Sequence, residues 1–437
     1  MQDHINYNFK KMKTTKRIMF LLLVAVTFGN AISKASGGNQ DSSQDYITVR
    51  GKVIDAQNKS PLVFATVIVK DSNVGIVTNI DGEFTLKVSP SATDLDISYL
   101  GYKNKSVAIS SLMNNNNINI ITLESAPVPI KEIIVKPVNP QYVVERAISS
   151  ISSNYETVPN LMTAFYRETI KKNRNYVSIG EAVVQIFKAP YNNDIRLDGT
   201  RIYKGRKSSD VERMDTVLFK LQGGPITSLQ LDIVKNTETV LTKEAMQNYN
   251  YSLSGVIEID GKPHYIIDFV QKPYIEQPLF MGSFFINTET YAITEVEFDF
   301  NLANREAATA IFIKKKPLGV QVSPEIATYR TKYIEQNGKL HFVYSRAEVR
   351  FKLDWRRRIF HTYYTTMIEI AVTDRTDQEV IRITSDERMR PSDVFTEKVS
   401  AFTDTEFWGD YNIIEPDQSI EAAIRRISRR LRFSDLE

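Results

Sequence analysis

Between residues 74 and 84 the chain reads VGIVTNIDGEF. A short apolar run meets the pair Asp81-Gly82 and resumes on Phe84. Two readings compete: a β-turn joining two strands, or the acidic lip of a catalytic or metal site. The turn reading asks Gly82 to supply a permissive backbone and Asp81 a local side-chain hydrogen bond, and it makes Phe84, Leu86 and Val88 the core face of the next strand. A calcium loop would need several carboxylates at alternate positions, and Asn79, Asp81 and Glu83 include only two acids. The turn is therefore preferred, and a β-rich fold follows from it.

Period-two patterning continues on both sides. Ile47, Val49, Gly51 and Val53 fall on one face, and Val63, Ala65, Val67 and Val69 repeat the pattern after a turn at residues 58–61. Leu95, Ile97 and Tyr99, then Val107 and Ile109, then Ile118, Ile120 and Thr122 extend the series beyond Val88. About seven short strands at this spacing predict a small β-sandwich over residues 46–124, with Asn114–Asn117 as a loop. A proline-spaced connector follows at 125–139, with one short strand predicted at Ile130–Val135.

Asn139 can cap, and Pro140 open, a helix whose apolar positions are Val144, Ala147, Ile148, Ile151 and Tyr155. Long strands are predicted in the stretches at 176–187, 264–270, 283–300, 308–315, 325–334, 340–355 and 363–374, with hairpin turns such as Asn337-Gly338. Residues 140–415 are thus expected to form one large curved antiparallel sheet, half-barrel-like, with a few helices. The tail at 416–437 switches to helical period, with Ile420, Ile424, Ile427 and Leu431 as a seam among arginines. Packing on its own domain is the preferred reading of that helix.

The 437 residues, 42% hydrophobic and 24% charged, suffice for two or three cores. Tyr and Phe number 43 against 2 Trp, which favours strands. Lys10, Lys11, Lys13, Lys16 and Arg17 precede an apolar run from Ile18 to Phe28 and small residues near Ala31 and Ala35, so residues 1–35 are expected to be a signal peptide and 36–45 a linker. Cleavage after Ala31 and after Ala35 both fit. Without residues 1–35 the chain has 49 bases and 51 acids, so the formal +3 becomes about −2 and the electrostatic case for a nucleic-acid partner disappears. Cysteine is absent, which excludes disulfides and a lipidated cysteine, and suits a Gram-negative periplasm or outer-membrane surface.

The opening GKVID, Pro61 before FATV, the turn GIVTNIDGEF and ISYLGY ending at Gly101-Tyr102 resemble the carboxypeptidase-regulatory-like, transthyretin-related β-sandwich over about Tyr46–Leu123. The resemblance implies an accessory domain, common at the N-terminus of exported envelope proteins. Phe165-Tyr166-Arg167-Glu168, Gly180–Tyr191, Gly223-Gly224-Pro225 and Phe407–Ile424 look like recurring landmarks of exported proteins carrying this module, a family with no activity to transfer residue by residue. The run from Ile259 to Phe298 weakly resembles the periplasmic lipoprotein-carrier fold, a half-open barrel holding an apolar ligand.

No catalytic, cofactor-binding or metal-binding residue is assigned. After residue 35 only His264, His341 and His361 remain, none in His-x-x-Glu or His-Glu-x-x-His spacing, so zinc peptidase chemistry is not expected. Nucleotide loops and Gly-x-Ser-x-Gly are absent. The carboxylate pairs Glu295/Glu297 and Asp94/Asp96 read as exposed strand faces. Lys314–Lys316 and Arg356–Arg358, near Trp355 and Tyr363, read as solvated hairpin ends. Phe165 and Tyr166 read as core, with Arg167 and Glu168 satisfied locally, where a helix joins the sheet.

The expectation is a non-enzymatic cell-envelope protein with a binding or assembly role, in the periplasm or at the outer membrane. Its sandwich would serve protein contacts and its curved sheet would hold a partner or an apolar or lipid ligand, with peripheral membrane association open. The alternatives are a hydrolase of envelope polymers and an integral outer-membrane β-barrel.

Overall fold

The computed structural model describes residues 24–25, 46–113, 118–126, 138–209, 220–313, 319–356, 359–401 and 407–424. The expected linker, the Asn114–Asn117 loop, the Ile130–Val135 strand, Lys314–Lys316, Arg357, Arg358 and the tail beyond 424 lie outside them. Of the expected signal peptide only Val24 and Ala25 are described, bridged to Lys220–Leu221.

The N-terminal part is a seven-stranded sandwich. Its strands are β1 (Ile47–Asp55), β2 (Thr66–Val69), β3 (Gly75–Val77), β4 (Glu83–Val88), β5 (Asp94–Ser98), β6 (Lys105–Ala108) and β7 (Asn119–Leu123). They form a three-stranded sheet in the order β4-β1-β7 and a four-stranded sheet in the order β3-β2-β5-β6. Val49, Val53, Val67, Phe84, Leu86, Leu95 and Ile97 meet between the sheets, as the alternation predicts. Strand β7 departs from the expected phase by one residue: Ile121 and Leu123 are buried, whereas Ile118 and Ile120 are 48% and 67% exposed. It lies parallel to β1 with Ile121 opposite Val53, and a one-residue slip moves every side chain to the other face.

The opening stretch is a turn, but Asn79 rather than Asp81 makes its local bonds. Asn79 Oδ1 accepts from the amides of Asp81 (3.0 Å) and Glu83 (2.8 Å), the geometry of an Asx turn. Gly82 has φ +76°, and a Cβ there would lie 2.6 Å from the carbonyl oxygen of Val53. Asp81 instead turns outward, and its Oδ2 accepts from the amide of Gln418 at 3.2 Å.

The remainder is built on one eleven-stranded sheet. Helix α1 (Pro140–Ser149) is capped by Asn139 Oδ1, which accepts from Tyr142 N at 3.2 Å, and it breaks at Ser150 before α2 (Ile151–Asn154). Then come β8 (Asn160–Lys172), β9 (Asn175–Lys188), β10 (Gly199–Ser209), helix α3 (Pro225–Leu229), β11 (Tyr249–Ile259), β12 (Lys262–Gln271), β13 (Phe280–Asn287), β14 (Ile293–Phe300), helix α4 (Arg305–Phe312), β15 (Val320–Gln336), β16 (Lys339–Trp355), β17 (Thr362–Thr376) and β18 (Ser400–Ala401). The sheet order is β11-β12-β13-β14-β15-β16-β17-β8-β9-β10-β18, antiparallel except for β18 on β10. Its first and last strands are not paired with each other, so the described strands form an open sheet and not a barrel.

Three expectations change here. Of the stretch at 308–315, expected as a strand, residues 308–312 are the end of α4, and Lys314 and Lys315 lie outside the described residues: Asn304 Oδ1 accepts from Ala307 N at 3.1 Å, and Ala308 and Phe312, one turn apart, bury one face. The stretch at 283–300 divides into β13 and β14 at a turn. The Phe165–Glu168 landmark lies inside β8, a central strand covered on both faces, not at a helix–sheet junction. The Asn337-Gly338 hairpin forms as expected, with φ of +52° and +74°.

One face of the sheet is covered by the chain itself, through α1, α3, α4, residues 229–241 and Phe395. Ser345 Oγ and Thr331 Oγ1 donate to the carbonyls of Ser228 (2.9 Å) and Leu231 (2.6 Å), tying that segment down. The sandwich covers the other face, where its core runs on into Phe165, Val183, Tyr344, Ala371, Trp408 and Ile414.

Beneath the sandwich, directly opposed residues on five neighbouring strands form a row of alternating charge: Arg346, Glu369, Arg167, Glu181 and Arg206. Arg167 donates to Glu181 (2.9 Å), Glu369 (3.2 Å) and the carbonyl of Ile414 (2.7 Å). Arg206 donates twice to the other Glu181 oxygen, at 3.1 and 3.0 Å, and lies over the Trp408 ring. Each carboxylate thus bridges two guanidinium groups, which repays its desolvation. The described part of the last helix, 418–424, packs on the same domain. Asp417 Oδ1 accepts from Ile420 N at 2.8 Å, and Ile420 and Ala423 bury against Tyr176 and Ile179.

Candidate functional site

The most developed concave site lies where β9 ends and β10 begins. Strand β9 finishes on Lys188, the chain loops out, and Asp198 brings it back into β10. Lys188 Nζ donates to Asp198 Oδ2 (2.7 Å) and Asp232 Oδ2 (2.6 Å). Lys235 Nζ donates to Asp198 Oδ1 (2.5 Å) and to the carbonyl of Ala189. Tyr333 and Tyr191 donate to the two oxygens of Asp232 at 2.7 and 3.0 Å.

All four charged groups are buried. Burial pushes the Lys188 ammonium down, but the two aspartates outweigh it and raise it above its usual value. Lys235 is pushed down to about 8, by burial first and by the Lys188 charge second. Both aspartates spend their oxygens inside the group. The cluster is therefore a clasp: it holds the loop at 189–198 and the segment at 232–239 against the sheet end, and it leaves no carboxylate facing a substrate.

Those clasped segments and the helix pair α1–α2 enclose a cavity of about 820 Å³, within the size range of small-ligand sites. Ile148, Ile151, Ile195, Val234 and Pro391 form its apolar wall, and Asn192, Asn236 and Thr237 are among its polar lining. Lys235 also lines it. A second cavity of about 480 Å³ adjoins it, and Ile195, Arg196, Gln230 and Pro391 line both. Sequence reasoning missed this site. Its only signal was the charged pair Asp232 and Lys235 within an otherwise apolar run, and the strand ends that complete it are far apart in the chain.

The residues weighed from sequence are not brought together. His264 and His341 are buried, on β12 and β16, and His361 pairs with Asp354. Among the described residues no group of three or more His, Asp or Glu could hold a metal. Glu295 and Glu297 are not a solvated face: both meet Arg330, and Glu295 is buried beside Lys332. Asp94 is half-buried and Asp96 exposed on β5 of the sandwich. Arg167 is satisfied, though by Glu181, Glu369 and the Ile414 carbonyl and not by Glu168, which points to the opposite face and has, among the described residues, only the Tyr166 hydroxyl, at 2.7 Å, as partner. At the far end of the sheet, Arg356 is exposed at the β16–β17 hairpin, and Ile359 and Phe360 beside it are 91% and 83% exposed.

Residues 49–135 match the model of the CarboxypepD_reg-like domain family, the similarity that the motifs of the sandwich indicate. No curated protein matches the chain. Among solved structures, an outer membrane lipoprotein-sorting protein domain from Vibrio parahaemolyticus aligns at 9% identity and TM-score 0.23, covering 56% of this chain and 95% of that one. A DUF1329 family protein from Desulfovibrio piger aligns at 12% identity and TM-score 0.22, with 56% and 95% covered. Lipovitellin aligns at 10% identity and TM-score 0.25, with 54% and 28% covered. Likenesses of this size carry no argument about function.

Proposed function

We propose that this protein, whose sandwich is similar to the CarboxypepD_reg-like domain, is a non-enzymatic cell-envelope protein that holds an apolar or amphipathic ligand in the 820 Å³ cavity. The observation that carries the reading is the cavity's construction, an apolar wall beside segments held by a buried, internally neutralised charge cluster. A pre-formed wall lowers the ordering cost of binding. The basic and apolar N-terminus supports export to the periplasm or outer membrane. No described helix is long and apolar enough to cross a membrane.

Titration with N-phenyl-1-naphthylamine, an uncharged apolar fluorophore, tests the site. Ser152 is exposed and lines the cavity, so Ser152→Trp should fill it without disturbing a core. Wild-type protein is expected to enhance the fluorescence saturably and the variant to lose most of the effect. Equal enhancement by both would reject the cavity as the site.

A second reading, peripheral contact with the membrane surface, is supported by Ile359 and Phe360, two large apolar side chains held in solvent beside Arg356. The hydrolase alternative would require two carboxylates facing each other across a polar cleft.

A further inference from the structure

The second cavity differs from the first in charge. Four arginines, Arg196, Arg382, Arg388 and Arg390, line it, against a single acid, Asp198. Asp198 is already spent on Lys188, Lys235 and the amide of Ala189. Arg196 is neutralised by Asp194, with contacts of 3.0 and 2.9 Å. Arg388 is pinned, its Nη2 donating to the carbonyls of Arg196 (2.8 Å) and Asp198, and carbonyls leave its charge uncompensated. Arg382 and Arg390 pair with no carboxylate among the described residues, although both are exposed. Four acids are near them in sequence: Glu387 binds Arg201 at 2.7 Å, Asp393 lies 3.3 Å from Lys398, and Glu379 and Asp386 are exposed and do not line the cavity. Ile226, Ile383 and Met389 form the apolar base.

Three guanidinium groups around a concave site whose one lining acid is already spent suit an anion with several oxygens, since each fork can bind two of them. The residues shared by the two cavities place that anion next to the apolar wall. We infer that the arginine cavity takes the anionic headgroup, a phosphate monoester or carboxylate, of an amphiphile whose chain lies along the 820 Å³ cavity. This rests on the ligand-holding reading above and specifies its chemistry.

Dodecyl phosphate, 1-dodecanol and inorganic phosphate, each titrated by calorimetry into wild-type protein and into the Arg382→Gln/Arg390→Gln double variant, separate the possibilities. Both substituted residues are exposed, so folding is not at stake. Dodecyl phosphate is expected to bind wild type about tenfold or more tighter than either dodecanol or inorganic phosphate. The double variant is expected to lose that margin over dodecanol while binding dodecanol unchanged. Equal affinity of wild type for dodecyl phosphate and dodecanol, or a margin that survives in the variant, overturns the headgroup assignment and leaves the cavity reading standing. Inorganic phosphate binding as tightly as dodecyl phosphate identifies a free-anion site and overturns the amphiphile. Absence of binding by both dodecyl compounds overturns the cavity reading itself.

Discussion

Arg167 and Glu168 are adjacent in sequence and have opposite fates in the structure. Arg167 looks toward the sandwich and is answered by two carboxylates, whereas Glu168 looks toward Phe395 and Tyr166 and meets no cation among the described residues. Burial raises its carboxyl from 4.5 to about 8, the Tyr166 hydrogen bond opposing the shift only in part. Between those values the folded protein holds a proton that the unfolded chain has released, so stability falls as pH rises through the window, by up to about 1.4 kcal/mol per pH unit. Glu168→Gln keeps the shape and removes the titration. Its thermal midpoint should match wild type near pH 5 and exceed it increasingly toward pH 8; parallel curves would contradict the assignment. The sequence placed residues 165–168 at a helix–sheet junction with Arg167 and Glu168 satisfied locally; that they lie inside β8, with Arg167 paired and Glu168 left without a cation among the described residues, depends on the strands placed on either side.

At the scale of elements, local pattern was a good guide wherever one face meets a core and the other meets solvent. The sandwich strands other than β7, the Asn139 cap and the Asn337-Gly338 hairpin were legible because each is decided by near neighbours in sequence, whereas the phase of β7 is set by its pairing with β1. The segment at 308–315 was not, because Ile311 and Ile313 suggest alternation while the deciding signal, the Asn304 cap, lies upstream. The alternating charge row was also hidden, since antiparallel register fixes it and no single strand records it. The β16–β17 hairpin tip supports a prediction of its own. Basic and apolar groups together favour an anionic bilayer, the charge attracting and the side chains inserting. Wild-type protein should float with vesicles containing phosphatidylglycerol, and Ile359→Asp/Phe360→Asp should not. Failure of wild type to float, or equal flotation of both proteins, would count against membrane contact.

The whole molecule is a sheet closed on both faces by parts of its own chain. The sandwich and the residues at 407–414 seal one face, and α1, α3, α4 and the segment at 229–241 seal the other. The large antiparallel sheet anticipated from sequence is present, but both its faces are covered, and the 820 Å³ cavity lies at one end, where the Lys188–Asp198–Asp232–Lys235 clasp holds two loops against α1 and α2. That placement could not be read from sequence, because the cavity's wall is drawn from four separate stretches between Ile148 and Pro391. We propose that this end-cavity carries a ligand in the envelope. Native mass spectrometry of the protein purified from its own envelope tests it most directly. Wild-type protein should carry an added mass of lipid size that Ser152→Trp lacks; wild type with no added mass, or an added mass equally retained by the variant, would contradict it.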